Sequence, residues 1–236
     1  MLELREIIKH YRIGEGEPVR AVDGVSLTVK EGELVALYGP SGSGKTTLLL
    51  LIAALLRPDS GSVMLDGREI SALSDQEAAR YRLRELGFVR QTLNLVPGID
   101  AIDNAALKLM GMGVRARRAR EQVTPLMDAL GLEDRLRHRP NQLSMGERQR
   151  VMIARALSTG PKLVLADEPT GSLDSRRGKE VLELLTDVCR QRGLTVVLVT
   201  HDPQAAGYAD RVHTLRDGQL LEDEPLARLA SVAEKR

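Results

Sequence analysis

The sequence predicts an α/β fold with a mostly parallel sheet at its core, and three observations indicate it. Several strand-like runs, such as 163–166 and 196–199, are continuously apolar, as strands buried on both faces should be. Strand-like and helical patterns alternate over much of the chain, which favours helices packed on a parallel sheet. Helical patterns dominate from about 73 to 157 while strands return on both sides, so we expect a helical subdomain inserted into the core.

The strands are expected where short runs are rich in β-branched and other apolar residues. The N-terminal run Met-Leu-Glu-Leu-Arg-Glu alternates apolar and charged side chains, which is typical of a first strand with one buried face. The later strand-like runs lie at 25–29, Leu34–Tyr38, 62–65, 88–89, 162–166 and Thr195–Thr200.

The helices are expected where apolar residues recur every three to four positions. A chain of 236 residues is long enough to bury most of its apolar surface, and we expect a single domain over 1–236. The helical patterns lie at 45–56, 101–110, 116–130, 147–157 and 176–192, and Pro225 starts a last helix.

The composition excludes several classes of function. The 34 basic and 33 acidic residues leave a net charge of +1, and aromatic residues make up only 2%, so we expect no nucleic-acid partner. The longest apolar run, 48–56, is far shorter than the roughly 20 residues that span a bilayer, and the N-terminus lacks a secretory signal. Cys189 is the only cysteine and is expected to be buried on a helix. These features predict a cytoplasmic protein.

A phosphate-binding loop follows the predicted strand Leu34–Tyr38. Residues 39–46 read Gly-Pro-Ser-Gly-Ser-Gly-Lys-Thr, the G-x-x-x-x-G-K-[ST] pattern, directly before a predicted helix. Backbone N–H groups of such a loop turn inward around phosphates, Lys45 can reach the β- and γ-phosphates, and the Thr46 hydroxyl can ligate Mg²⁺. The residues expected to bind ATP here are Gly39, Ser41, Gly42, Ser43, Gly44, Lys45, Thr46 and Thr47.

Two adjacent carboxylates end the apolar run at 163–166. In a parallel sheet, ligands bind at the carboxyl ends of the strands. We therefore expect Asp167 to hold Mg²⁺ and Glu168 to orient or deprotonate the water that attacks the γ-phosphate. Because neighbouring residues on a strand point to opposite faces, the two carboxylates are expected to take different roles.

Further motifs resemble those of ATP-binding cassette (ABC) proteins and cover nearly the whole chain. Leu-Ser-Met-Gly-Glu at 143–147 resembles the family signature Leu-Ser-Gly-Gly-Gln, and 172–174 resembles the D-loop. The resemblance implies a phosphate-loop NTPase core with an antiparallel β subdomain and an inserted helical subdomain. It also implies an ATPase with Lys45, Gln91, Glu168 and His201 as catalytic residues.

The resemblance assigns a role to several residues that have an ordinary explanation when taken alone. Gln91 resembles the Q-loop glutamine, which also touches Mg²⁺, but alone could be a solvated loop amide. His201 resembles the switch histidine, and Tyr11 the aromatic residue that stacks on adenine; alone they could be a capping histidine and an ordinary strand residue. Ser144, Gly146 and Asp174 complete the implied set of nucleotide-binding residues.

The signature implies a dimer and departs from the family pattern at two positions. Family members supply Ser144 and Gly146 from a partner subunit, so two cassettes enclose two ATP molecules, and this chain pairs with itself or with a related cassette. Met145 replaces a glycine, and Glu147 replaces a glutamine. Glu147 places a carboxylate near an anion, and we expect it to weaken closure unless Arg148 or Arg150 compensates its charge.

The run Leu-Ala-Asp-Glu-Pro-Thr-Gly-Ser-Leu-Asp-Ser at 165–175 resembles the lipoprotein-release and macrolide-efflux branch of the family. The segments 11–22 and 94–104 also resemble that branch. It implies a partner permease of the FtsX-like, MacB-type kind, with the chain at the cytoplasmic face of the cell membrane. An importer subunit and a cytosolic non-transport ATPase remain as alternatives, and the sequence names neither the cargo nor the permease.

Overall fold

The computed structural model describes residues 1–12, 17–171 and 173–221 and divides into two compact units. The first unit contains Met1–Ala79 and Thr195–Arg236, and the second contains Arg80–Leu194. In chain order the strands are β1 (Leu2–Tyr11), β2 (Val19–Val29), β3 (Leu34–Tyr38), β4 (Ser60–Leu65), β5 (Arg68–Glu69), β6 (Leu86–Val89), β7 (Leu163–Asp167), β8 (Thr195–Thr200), β9 (Arg211–Arg216) and β10 (Gln219–Leu220). The α-helices are α1 (Lys45–Ile52), α2 (Asp75–Arg84), α3 (Ala101–Gly111), α4 (Ala116–Ala129), α5 (Met145–Leu157), α6 (Ser175–Gln191) and α7 (Pro203–Ala206), with short 3-10 helices at Glu133–Arg135 and Pro140–Gln142.

An antiparallel sheet in the first unit has the strand order β2-β1-β4-β5. In β1, Leu2, Leu4 and Ile7 are buried while Arg5 is exposed, so one face of the strand packs into the core. The pairing of β1 with β2 shifts register between Leu4 and Ile7, where Glu6 has a positive φ of 48°. The predicted N-terminal strand is therefore present, with a bulge in its middle.

A parallel core in the first unit surrounds β3, which pairs in parallel with both β8 and β9. All six residues of β8 and the first four of β3 are buried, as the continuous apolar runs predict. The strand β10 pairs antiparallel with β9. The carboxyl end of β3 leads directly into the phosphate loop and then into α1.

The second unit contains a parallel pair of strands and most of the helices. β6 pairs in parallel with β7, and all five residues of β7 are buried. Helix α5 packs against α3, α6 and β6, and α3 also packs against α4. On α5, Val151, Ile153 and Ala154 are fully buried. Cys189 on α6 is buried as predicted, and burial raises the pKa of its thiol to about 12.

The α/β prediction is confirmed, and the differences have local causes. Helix α1 ends at Ile52 instead of 56, because Ala54 has a left-handed backbone with φ of 50°. Helix α2 escapes prediction because only Ala78 and Tyr81 on it are buried. The predicted helix at Pro225 lies outside the described residues. Within the described ranges, no helix combines the length and the apolar character that crossing a bilayer requires.

Candidate functional site

The phosphate loop turns sharply between β3 and α1, and glycines make the turn possible. Gly42 and Gly44 have positive φ values of 83° and 99°. A Cβ atom on Gly44 would overlap the backbone carbonyl of Ala21, and one on Gly39 would overlap the carbonyl of Leu215. Positions 39 and 44 therefore exclude any side chain, for steric reasons that lie in neighbouring strands.

Lys45 is held inside the loop by oxygen atoms. Its side chain is buried, and Nζ donates to the carbonyl oxygens of Gly39 and Pro40, each at 2.7 Å, and to Ser43 Oγ at 3.4 Å. An ammonium group at this depth needs such partners because burial disfavours the charged form. The geometry places the cation at the floor of the loop, where phosphate oxygens can replace the weaker neutral acceptors.

The first turn of α1 adds further affinity for anions. It contains no acidic side chain, so no carboxylate of this turn offsets the positive end of the helix dipole. Thr46 is exposed on this turn and Thr47 is half-buried. The predicted metal ligand Thr46 therefore lies on the first turn of α1, directly after Lys45.

The two other predicted residues of the first unit lie at strand ends. Tyr11 ends β1 opposite Val19, and the Lys9 ammonium lies 5.9 Å from the centre of its ring. His201 directly follows β8 and is exposed. The next residue, Asp202, caps α7 by accepting a hydrogen bond from the Gln204 N–H at 2.8 Å. Both predicted side chains thus lie beside strand-to-loop transitions.

The carboxylate pair of the second unit is arranged differently from the prediction. Asp167 is the last residue of β7 and is 8% exposed. Glu168 lies outside the strand, in a left-handed backbone conformation with φ of 46°. The sequence predicts that strand alternation sets the direction of Glu168, and this prediction is wrong because Glu168 is not part of the strand. A strained turn sets it, at a cost of about 1–2 kcal/mol.

Gln91 and Glu168 both border Gly171. A Cβ atom on Gly171 would lie 3.0 Å from Gln91 Nε2 and 3.5 Å from Glu168 Cβ. The second unit thus brings the predicted Q-loop amide and the predicted general base to the same glycine. The sequence identifies the two functional residues, but it gives no signal for the glycine that separates them.

Ser144 and Glu147 form a capping box at the start of α5. Ser144 Oγ accepts from the Glu147 N–H at 3.3 Å, and Glu147 Oε2 accepts from the Ser144 N–H at 2.8 Å. Glu147 Oε1 also accepts from Arg135 Nε at 2.7 Å. Burial alone would raise the pKa of Glu147, but these hydrogen bonds and the Arg135 charge together hold the pKa below its usual value.

The expectation that Arg148 or Arg150 compensates Glu147 is wrong. Arg148 Nε donates to the carbonyl of Leu143 at 3.0 Å, and Arg150 Nε is buried without a hydrogen-bond partner among the described residues. Compensation comes from Arg135, in the 3-10 helix Glu133–Arg135. The signature serine is therefore oriented by a carboxylate that is itself fixed by an arginine.

Gly146 has no packing partner that explains its lack of a side chain. It occupies the second position of α5 without a positive φ. No atom of the described residues beyond its own helical turn and chain neighbours lies within 4 Å of the place where a Cβ would stand. The adjacent Met145 is 41% exposed. Gly146 is itself buried, yet the place of a Cβ is open, and it lies beside a serine hydroxyl at the positive end of a helix, which suits an anion.

Two further residues of the predicted motifs, Asp174 and Asn104, make hydrogen bonds near the starts of α6 and α3. Asp174 caps α6 by accepting from the Arg177 N–H at 3.0 Å, and Ser172 of the predicted D-loop lies outside the described residues. Asn104, fully buried in α3, accepts from the Val96 N–H at 2.8 Å and donates to the Val96 carbonyl at 3.1 Å. The segment after Gln91 is therefore tied to α3.

The chain matches known proteins along almost its whole length. The ABC transporter family matches residues 22–171. The lipoprotein-releasing system ATP-binding protein LolD of Hyphomonas neptunium is 45% identical over 222 residues, which cover 94% of this chain and 97% of LolD. The macrolide export ATP-binding/permease protein MacB of Chlorobaculum tepidum is 46% identical over 223 residues. The chain spans 34% of the length of that MacB.

Two solved structures have a similar fold. A dimeric bacterial ABC transporter cassette aligns with a TM-score of 0.87 and 40% identity, covering 96% of this chain and 99% of the other. A dimeric cassette in a post-hydrolysis state, bound to ADP and phosphate, aligns with a TM-score of 0.86 and 39% identity over the same shares. The likeness extends over both compact units.

Proposed function

The chain belongs to the ABC transporter family, and from that premise we propose that it is the ATP-hydrolysing subunit that energises a separate membrane permease. The chain is an ABC ATPase cassette. The observation that carries the transporter assignment is the 45% identity with a lipoprotein-releasing ATP-binding protein over 97% of that protein.

The residues of the phosphate loop bind the phosphates of ATP. Lys45 exchanges the carbonyls of Gly39 and Pro40 for β- and γ-phosphate oxygens, while the loop N–H groups and the start of α1 add donors and partial positive charge. Tyr11 stacks on the adenine. Glu168 takes the proton of the attacking water, and Gln91 and His201 orient the water and the γ-phosphate.

The chain offers the oxygen donors that Mg²⁺ prefers. Mg²⁺ is held in nucleotide sites by one or two protein oxygens and the phosphates themselves. Thr46 supplies a hydroxyl, Asp167 a carboxylate at a strand end, and Gln91 an amide oxygen. When bound, Mg²⁺ neutralises charge on the phosphates.

Two cassettes act together in this proposal. Ser144, fixed by its capping box, and the N–H of Gly146 contact the γ-phosphate that the partner cassette holds, and Asp174 contributes from the start of α6. The open space at Gly146 supports this because it leaves room for a ligand from outside the chain. The second cassette is either a second copy or a related chain.

The export and lipoprotein-release relatives support the predicted branch over an importer. We propose a permease of the FtsX-like, MacB-type kind and a location at the cytoplasmic face of the membrane through that permease. ATP binding closes the dimer, the segment 91–104 pushes on the permease, and hydrolysis resets it. No nucleic acid takes part.

The test is a pull-down of tagged Glu168→Gln protein from detergent-solubilised native membranes with ATP and Mg²⁺. The amide cannot accept the proton of the attacking water, so the variant should bind ATP and stay dimeric. Mass spectrometry should then identify a permease with few membrane helices and a large outer domain. The Lys45→Ala protein, which cannot hold ATP, is the matched control and should recover much less.

Three outcomes separate the alternatives. Recovery of the predicted kind of permease supports the proposal. Recovery of a permease that works with a solute-binding protein assigns the chain to the importers. Recovery of soluble partners alone overturns the transporter assignment and leaves the ATPase.

A further inference from the structure

A small pocket in the second unit is lined by three cationic side chains that the ATPase chemistry does not use. The pocket has a volume of about 150 Å³. Lys108 from α3 and Arg155 from α5 approach it from two helices that pack against each other. Its lining is completed by Arg82, Leu86, Phe88 and Ala156.

Two of these cations, Lys108 and Arg155, have only neutral hydrogen-bond partners among the described residues. Lys108 Nζ donates to the Leu86 carbonyl at 2.6 Å, and Arg155 donates to the Asn94 carbonyl at 2.9 Å. Within the described part of the chain, no carboxylate forms an ion pair with either of them. Burial, with a smaller contribution from Arg155, lowers the pKa of Lys108 to about 8, and burial also lowers the pKa of Arg155.

Such a pair is costly unless an anion from outside the chain joins it. Two like charges in a partly desolvated pocket repel each other, and each loses part of its hydration. A carboxylate between them would offset the repulsion between the two charges. It would also replace the lost hydration with charge-assisted hydrogen bonds. The fold therefore keeps an unfavourable pair of charges that one external anion would make favourable.

The size and the walls of the pocket limit what the anion is. Sites for nucleotides and other ligands of that size measure about 300–1,000 Å³. At about 150 Å³, this pocket suits a single side-chain head group. Leu86, Phe88 and Ala156 supply apolar walls for the methylene groups of such a side chain.

The pocket is joined to the segment that follows Gln91. The guanidinium that lines the pocket also holds the Asn94 carbonyl, three residues after the Q-loop glutamine. Arg155 further contacts Met152 Sδ at 2.6 Å, which fixes its orientation on α5. An anion that pulls on Arg155 therefore acts on the segment 91–104.

We propose that the Lys108–Arg155 pocket receives an aspartate or glutamate side chain from a cytoplasmic segment of the membrane permease. The inference rests on the proposed function, since it names the chemistry by which the permease engages the segment 91–104. The acidic side chain anchors the permease to the cassette. When the acidic side chain binds, Arg155 shifts and the hydrogen bond that it donates to the Asn94 carbonyl changes. That change displaces the segment that begins at Gln91, and so it affects the ATP site.

The test compares two lysine variants in the Glu168→Gln background, with the permease recovered from native membranes as the readout. Lys108→Met removes the charge and keeps an apolar stem of similar length; Lys30→Met, at an exposed lysine, is the matched control. Recovery of the permease should fall by about tenfold or more with Lys108→Met and stay unchanged with Lys30→Met. Thermal unfolding verifies that both variants are folded.

A photoreactive benzoylphenylalanine in place of Phe88 locates the contact on the permease. The crosslinked peptide should contain an aspartate or glutamate, and its change to the amide should reduce recovery as much as Lys108→Met does. Lys108→Glu combined with the opposite charge reversal in the permease should restore binding.

Undiminished recovery with Lys108→Met, or crosslinks to a segment that lacks carboxylates, would overturn the pocket assignment while leaving the proposed function intact. Loss of binding to protein-free vesicles of anionic lipid with Lys108→Met would identify a lipid phosphate as the anion and would also overturn it. If the Glu168→Gln protein with an unaltered pocket recovers no permease at all, the proposed function itself is wrong.

Discussion

Arg135 Nε donates to Glu147 Oε1 at 2.7 Å and so fixes the carboxylate that orients Ser144. The pair joins a 3-10 helix to the first turn of α5. A carboxylate at this place would otherwise repel a phosphate, and the guanidinium offsets that charge. The substitution of glutamate for the usual glutamine is thus accompanied by an arginine that makes it tolerable.

Arg135→Gln should slow ATP hydrolysis by the dimer, because the free carboxylate then opposes the γ-phosphate. Glu147→Gln should remove that penalty, so Arg135→Gln should have little effect in the Glu147→Gln background. A double-mutant cycle of unfolding free energy should give a coupling of about 0.5–1 kcal/mol. Additive effects on turnover would contradict the proposed charge compensation.

The Gly146→Ala variant tests whether Gly146 is required for ATP hydrolysis or for the packing of the fold. Because no neighbour occupies the space of the new methyl group, the free energy of unfolding should stay the same or rise by up to about 1 kcal/mol. Hydrolysis should fall by about tenfold or more, since the methyl group blocks the approach of a phosphate. Thermal unfolding and an ATPase assay on the same preparation test both statements; a loss of stability would assign the glycine to packing.

Glu168→Gln should bind ATP with near-normal affinity and hydrolyse it at least about 100-fold more slowly. Single-turnover assays with radiolabelled ATP measure the chemical step directly. Normal turnover by the variant would remove Glu168 from the role of general base.

The backbone strain at position 168 can be measured apart from the carboxylate. Glu168→Gly and Glu168→Ala both lack it, but only glycine adopts a φ of 46° without strain. The glycine variant should therefore be more stable than the alanine variant by about 0.5–1 kcal/mol in urea unfolding. Equal stability would mean that the backbone relaxes when the carboxylate is removed.

Lys108 should make stability depend on pH above neutrality. Its pKa is about 8 in the folded chain against 10.5 for an ordinary lysine, so between these values the unfolded chain binds more protons. The free energy of unfolding should therefore rise across this window, by up to about 3 kcal/mol. Lys108→Met should flatten the rise and should be more stable than the parent at pH 7, despite the lost hydrogen bond to Leu86. A slope that persists in the variant would assign the effect to other groups.

Local sequence patterns predicted the phosphate loop, the buried strands β3, β7 and β8, and the residues that border Gly171. They succeeded because loop geometry and burial on both faces are written in consecutive residues. They failed for β9, whose Arg211, His213 and Arg216 interrupt the apolar pattern, although its register with β3 supplies the pairing. The partner of Glu147 was missed for a related reason. Arginines lie close to Glu147 in the sequence on both sides, at 135, 137, 139, 148 and 150, and only the tertiary packing selects Arg135.

Only two residues separate Gln91 from Asn94. Three residue steps reach at most about 11 Å when fully extended. One end lies beside the glycine that separates Gln91 from Glu168, and the other is gripped by Arg155. A segment this short limits how far Asn94 can move without displacing Gln91. In the proposed function, an insertion of one or two glycines between Gln91 and Asn94 should therefore uncouple permease movement from the ATP site. The variant should still hydrolyse ATP, but the hydrolysis should no longer drive the permease.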